Sequence, residues 1–186
     1  MSNRVCPWWL GYFLVSPVRR WGQGDPTEIL TPYVREEMTV LEPGPGMGFF
    51  TIPLARLVGA SGRVVALDLQ PKMIARLKRR AAKAGLLNRI ETRVASRETL
   101  GVEDLSGKVD FILAFAVVHE VPDAKRFFSE VARAAKPGAS LLLAEPLGHV
   151  NDAKFEAELA SAAEAHFEVA ARPVIRRNRA ALLVKR

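Results

Sequence analysis

Three glycines at every second position, Gly44, Gly46 and Gly48, close a segment that an apolar run enters and a helix-like stretch leaves. The segment reads Glu42-Pro43-Gly44-Pro45-Gly46-Met47-Gly48. Glycine lets a backbone turn tightly and lets a ligand approach it closely. A strand, a glycine turn and a helix in that order form the opening of a βαβ unit. The following apolar run, Arg63 to Asp68, ends in an acid 26 residues after Glu42. An acid at the end of the second strand can accept the hydroxyls of a ribose. The glycine spacing is G-x-G-x-G, whereas dinucleotide sites use G-x-G-x-x-G. Glu42 would repel a pyrophosphate and suits an ammonium group, which weighs against a nicotinamide dehydrogenase.

The rest of the chain repeats the alternation. Phe49 to Val58 reads as a helix, with Pro53 near its first turn. Pro71 opens a second helix that stops at Gly85. Ile90 to Val94 is a short strand, Leu100 to Gly107 a loop, and Val109 to Phe115 a strand buried on both faces. Asp123 caps a helix to Ala135, and Lys136-Pro137-Gly138 breaks the chain before a strand over Ser140 to Glu145. Asp152 to Ala163 is helical; Phe167 to Arg172 and Ala180 to Lys185 form a closing hairpin. Such alternation requires crossover connections, helices on both faces and a mostly parallel sheet. The expected fold is a doubly wound α/β domain with seven strands and a C-terminal antiparallel hairpin. Ligands in such folds bind at the carboxyl ends of the strands.

On these residues the chain resembles the class I S-adenosylmethionine (SAM)-dependent methyltransferases. Val40 to Thr51, with Val65 to Ile74, is similar to the family's cofactor loop and acidic strand end. Phe111 to Pro122 and Lys136-Pro137-Gly138 are similar to later family segments. The resemblance covers residues 27–186 and implies SAM as cofactor. It implies that Gly44 and Gly46 border the methionine part, that Pro45 and Gly48 bind the cofactor with them, and that Glu42 engages its amino group. It implies Asp68 on the ribose, Leu69 and Met73 on the adenine, and Phe115 at the start of the acceptor pocket. Ser96 and Arg97 stand where the family often has an acid for the adenine amino group, so the sequence departs from the pattern there.

Methyl transfer needs a base only when the acceptor must lose a proton. His119 and Glu120 follow the fourth strand; Glu145 and His149 follow the fifth. His119, His149 and Glu145 are the candidate catalytic residues. The alternatives are a divalent metal site on the same side chains, or loop-capping roles. The fourth strand ends Ala114-Phe115-Ala116-Val117, not in the Asn/Asp-Pro-Pro-Tyr/Phe motif of amino-directed nucleic-acid methyltransferases. The expected acceptor is therefore a small apolar or aromatic molecule. The rivals are RNA methylation and a SAM-binding sensor without turnover.

The net charge of +7 is concentrated in residues 63–97 and in the tail after Ala171. On the second helix, Arg76, Arg79, Arg80 and Lys83 share one face. A nucleic-acid partner is one reading; a solvated face is the simpler one. Residues 1–38 are taken as an N-terminal segment and 39–186 as the cofactor domain. Cys6 to Phe13 is rich in aromatic residues, which suits either a lid over the acceptor or a homodimer contact. No apolar run reaches the ~20 residues of a transmembrane helix. A single cysteine and no convincing signal peptide point to the cytoplasm.

Overall fold

A computed structural model describes residues 24–186. Seven strands form one sheet: β1 (Thr39–Pro43), β2 (Arg63–Asp68), β3 (Ile90–Val94), β4 (Val109–Phe115), β5 (Ala135–Pro146), β6 (Phe167–Ala171) and β7 (Asn178–Lys185). Among the described residues, five α-helices accompany them: α1 (Pro26–Leu30), α2 (Thr51–Leu57), α3 (Pro71–Lys83), α4 (Ala124–Ala134) and α5 (Asp152–Glu164). The strand order is β3-β2-β1-β4-β5-β7-β6. β1 to β5 are parallel, and β7 runs antiparallel to both of its neighbours. This is the expected doubly wound sheet with its terminal hairpin.

Successive strand residues point to opposite faces, so Val40 and Val64 go one way and Leu41 and Val65 the other. The first face packs on α1, α2 and α3 through Leu30, Leu54 and Leu77. The second packs on α4 and α5 through Phe127, Phe128, Phe155 and Leu159. From β1 the chain winds outward to β2 and β3, then crosses back to β4 on the other side of β1. Connections therefore diverge above β1 and β4, which opens a crevice at their carboxyl ends.

The helix ends follow the local chemistry. Pro71 occupies the first turn of α3. At its other end Gly85 takes φ +69°. Its N–H donates to Ala82 O, and the Leu86 N–H to Ala81 O, satisfying two terminal carbonyls. The Asp123 carboxylate caps α4 by accepting from the Arg126 N–H at 3.0 Å.

Two sequence boundaries move. The division at residue 38 falls inside the packed body: Leu30 and Val34 are buried, and Tyr33 stacks on Phe111. An apolar spacing of three to four residues ties this stretch to the sheet, which charge balance alone did not show. The aromatic stretch Cys6 to Phe13 lies outside the described residues. Lys136-Pro137-Gly138 ends the helix but does not delay the strand, because β5 begins at Ala135, which pairs with Val109. The Leu100–Gly107 loop contains a 3-10 turn at Glu103–Leu105. Among the described residues, no helix is long and apolar enough to cross a membrane.

Candidate active site

The crevice above β1 and β4 is a cleft of about 270 Å³. Its floor is the glycine loop. Gly44 has φ +71°, and a Cβ there would lie 2.8 Å from Val117 Cγ2. Gly46 has φ +55°, and a Cβ there would meet nothing within 4 Å. The two glycines thus do different work: Gly44 admits the loop after β4, and Gly46 presents bare backbone to the cleft. Gly48 does not line the cleft. Its Cβ would lie 2.5 Å from Leu77 Cδ1, so its absence makes room for α3. Packing against α3 is a role of Gly48 that the sequence did not show. Glu42 is likewise beneath the lining, 3% exposed at the end of β1. Arg80 also differs from expectation: it leaves the solvated face of α3 and donates to Met47 O at 2.5 Å, tying the helix to the loop.

Asp68 ends β2 at the middle of the cleft. Its Oδ1 accepts from the Gln70 N–H at 2.8 Å and its Oδ2 from the Gly46 N–H at 3.3 Å. The two bonds fix the carboxylate plane. Burial pushes this carboxyl up to about 6; the bonds from Gln70 and Gly46 oppose the rise, and the charge of Glu120 adds to it. Leu69, Met73 and Phe115 supply apolar lining. On the far wall lie Ser96 and Arg97. The Ser96 hydroxyl accepts from the Glu98 and Thr99 N–H groups, both at 3.1 Å, and so shapes its own loop. Sequence reasoning missed Glu130 of α4, which lines the same wall. Its Oε2 accepts from the Leu100 N–H at 2.6 Å and the Thr99 hydroxyl at 3.1 Å. Its place seven residues after Asp123, on the same helix face as Phe127, was the available signal.

The other end of the cleft holds His119, Glu120 and His149. Ala116 takes φ +54° at the exit of β4. Non-glycine residues rarely adopt that conformation. Beyond this reversal, the Val117 and Val118 N–H groups donate to Glu145 Oε1 at 3.2 and 2.8 Å. The other oxygen of Glu145 bonds His119 Nδ1. Glu145 has no exposed surface. With its carboxylate accepting from Nδ1–H, the Nε2 of neutral His119 presents a lone pair. That Nε2 lies 3.4 Å from Nδ1 of the exposed His149 and 3.9 Å from Glu120 Oε1. Burial draws the His119 imidazolium down, but Glu145, Glu120 and Glu158 together carry it above its ordinary value. The structure therefore brings His119, Glu145 and His149 together, with Glu145 behind the lining. Among the described residues, no group of three or more side chains is arranged to hold a metal ion.

A parallel sheet with a glycine loop, a strand-end acid and a His–Glu pair over one cleft defines a nucleoside-binding α/β enzyme scaffold. The family described as methyltransferase domain matches residues 41–143, and the chain belongs to it. Over 107 residues it is 32% identical to an arsenite methyltransferase of Halobacterium salinarum, covering 58% of this chain and 27% of that one. Over 116 residues it is 32% identical to the ubiquinone/menaquinone biosynthesis C-methyltransferase UbiE of Brucella suis, covering 62% and 42%. This chain thus spans less than half the length of either curated relative. A SAM-dependent methyltransferase from Aquifex aeolicus superposes with TM-score 0.83 at 25% identity, over 97% of this chain and 98% of that one.

The family's cofactor is SAM, and the cleft suits it. The open backbone at Gly46 has space for a ligand to approach closely. The fixed carboxylate of Asp68 is an acceptor pair for hydroxyl groups. The apolar walls, Leu69, Met73 and Phe115 among them, match a methylene chain and a purine face.

Proposed function

We propose that this protein transfers the methyl group of SAM to a small, apolar or aromatic acceptor that must lose a proton, with His119 as the base. The observation that carries this reading is the bond between His119 Nδ1 and the buried carboxylate of Glu145, at the cleft wall. Bound SAM supplies a methyl group on a sulfonium, already activated for in-line displacement. Gly44, Pro45 and Gly46 would border its methionine part, Asp68 its ribose hydroxyls, and Leu69 and Met73 its adenine. Ser96 and Arg97 would flank the adenine edge. Phe115 would separate the cofactor from the acceptor and exclude water.

His119 Nε2 takes the proton of the acceptor. Glu145 holds the Nδ1–H tautomer and offsets the charge of the imidazolium. His149, adjacent and exposed, passes the proton on to solvent. A thiolate or another acceptor that arrives ionised would make no use of this arrangement.

The test is transfer of label from methyl-labelled SAM into a fractionated cell extract, with Asp68→Ala and His119→Ala as controls. Label in small molecules that disappears with both variants supports the reading. Label in RNA overturns the acceptor class, and label undiminished in His119→Ala overturns the base. SAM binding without label in any fraction favours a sensor without turnover.

A further inference from the structure

The acceptor end of the cleft has a rim built from two segments that the reaction scheme leaves unused. One is the exit of β5, where Pro146 and His149 line the cleft and Leu147 between them is 53% exposed. The other is the turn between β6 and β7, residues 172–177, brought to the same pole because β7 runs back along β5. Pro146 pairs with Asn178, and the Leu147 N–H donates to Arg177 O at 3.1 Å. The turn is firmly pinned. Ile175 is buried, and its carbonyl accepts from the Asn178 N–H at 3.0 Å. The Asn178 side-chain amide donates to Arg176 O at 2.7 Å. Arg179 ties the hairpin to the loop carrying His149, by donating to Val150 O at 2.7 Å and to the Asp152 carboxylate at 2.6 Å.

What this pinned turn presents outward is apolar and basic. Val174, next to the buried Ile175, is wholly exposed. Arg172, Arg176 and Arg177 are exposed on either side of it in the turn, and the chain has no acid after Glu168. Two acids reach the hairpin from α5, and the hairpin matches both: Asp152 with Arg179 and Glu156 with Arg172. A turn tip that faces only water ordinarily carries small polar residues. An apolar tip flanked by arginines suits the boundary of an anionic bilayer. There valine and leucine side chains enter the acyl region, while guanidinium groups stay among the headgroups. The net charge of +7 adds long-range attraction in the same sense.

We propose that this rim docks the enzyme on an anionic lipid surface, so that a lipid-soluble acceptor passes from the bilayer over Leu147 to the His149–His119 end of the cleft without crossing bulk water. Val174 and Leu147 make the apolar contact, and Arg176 and Arg177 meet the lipid phosphates. His149 Nδ1 lies 3.4 Å from His119 Nε2, so the docked rim stands beside the reacting end. Delivery of the acceptor rests on the apolar acceptor class proposed above; lipid docking itself does not.

The test is sedimentation of the full chain with vesicles of phosphatidylcholine alone and of phosphatidylcholine mixed with phosphatidylglycerol. The protein should bind the mixed vesicles, and more weakly as salt rises. Val174→Asp and Arg177→Gln should each lower that partition by about fivefold or more, through loss of one apolar anchor or one interfacial charge. Both variants should keep the wild-type Tm and SAM affinity, since both side chains are exposed. Equal binding to the two vesicle types, or binding to neither, overturns the proposal. Loss in Arg177→Gln alone marks a patch for polyanions such as RNA, and a dimer that Val174→Asp dissolves assigns the rim to a second copy; either overturns lipid docking. Vesicle binding without label in the lipid-soluble molecules of the cell extract keeps the docking and overturns the delivery. Label in those molecules without vesicle binding keeps the acceptor class and overturns the docking.

Discussion

His119 and Glu145 lie 26 residues apart in the chain and are joined by a bond from Nδ1 to a carboxylate with no exposed surface. The same carboxylate accepts the Val117 and Val118 N–H groups. It therefore sets both the imidazole orientation and the turn that carries it. His119→Ala should lower kcat by about 10²- to 10⁴-fold and leave SAM affinity unchanged, as calorimetry would read. Glu145→Ala should also destabilise the fold by about 2 kcal/mol or more, because buried donors lose their acceptor. Since the imidazolium is held above its ordinary value, the acidic limb of kcat should lie above pH ~6.5. A limb below that value would remove Glu145 from its role.

Asp68 should give stability and cofactor binding opposite dependences on pH. Its folded value of about 6 stands above the ordinary value of 3.8. As pH falls through 6, the folded chain takes up a proton that the unfolded chain does not yet bind. Folding therefore gains from this group toward acid and loses that gain as pH rises. Ribose hydroxyls need the ionised acceptor, so SAM affinity should fall below pH ~6, approaching tenfold per unit. Asp68→Asn should bind SAM weakly at all pH values and flatten this group's contribution to the pH dependence of Tm. An unaltered pH profile of affinity in that variant would assign the ribose contact elsewhere.

The three glycines should separate by phenotype. Gly48→Ala sets a Cβ against Leu77 at positive φ and should lower Tm, by more than about 1 kcal/mol of stability. Gly46→Ala places its methyl in open space, so its larger effect should fall on SAM binding, with backbone strain as the only cost to the fold. Gly44→Ala presses on Val117, two residues before His119, and should lower kcat as well as stability. Equal losses of Tm and affinity in all three would contradict this division.

Glu130 should act on cofactor binding through the loop it holds. Glu130→Ala frees the Leu100 N–H and the Thr99 hydroxyl from their shared acceptor. Amide exchange at Leu100 should accelerate, and affinity for S-adenosylhomocysteine should fall several-fold. Unchanged exchange at Leu100 would show that the loop holds its shape alone.

Much of the scaffold was legible because it is local. The glycine loop, the Asp68 strand end, Pro71 at the start of α3, Gly85 at its end and the Asp123 cap are each set by neighbours within a few residues. Strand and helix periodicities then required crossovers, and crossovers required the parallel sheet. The same locality misled at Lys136-Pro137-Gly138, where pairing to Val109 starts the strand before the break signal ends. It misled again at Arg80, where α3 returns to the loop and the guanidinium bonds Met47 O.

The sequence by itself determined the order of elements, the helix caps and the residues that stand at strand ends, because backbone sterics and hydrophobic period act over short spans. Only the tertiary structure decided which of those strand-end groups meet. The adjacency of β4 and β5 brings Glu145 to His119, the left-handed turn at Ala116 aims two N–H groups at the same carboxylate, and α4 delivers Glu130 from far along the chain. Burial and charge at those positions depend on neighbours distant in sequence, and so arise only when the sheet closes its order.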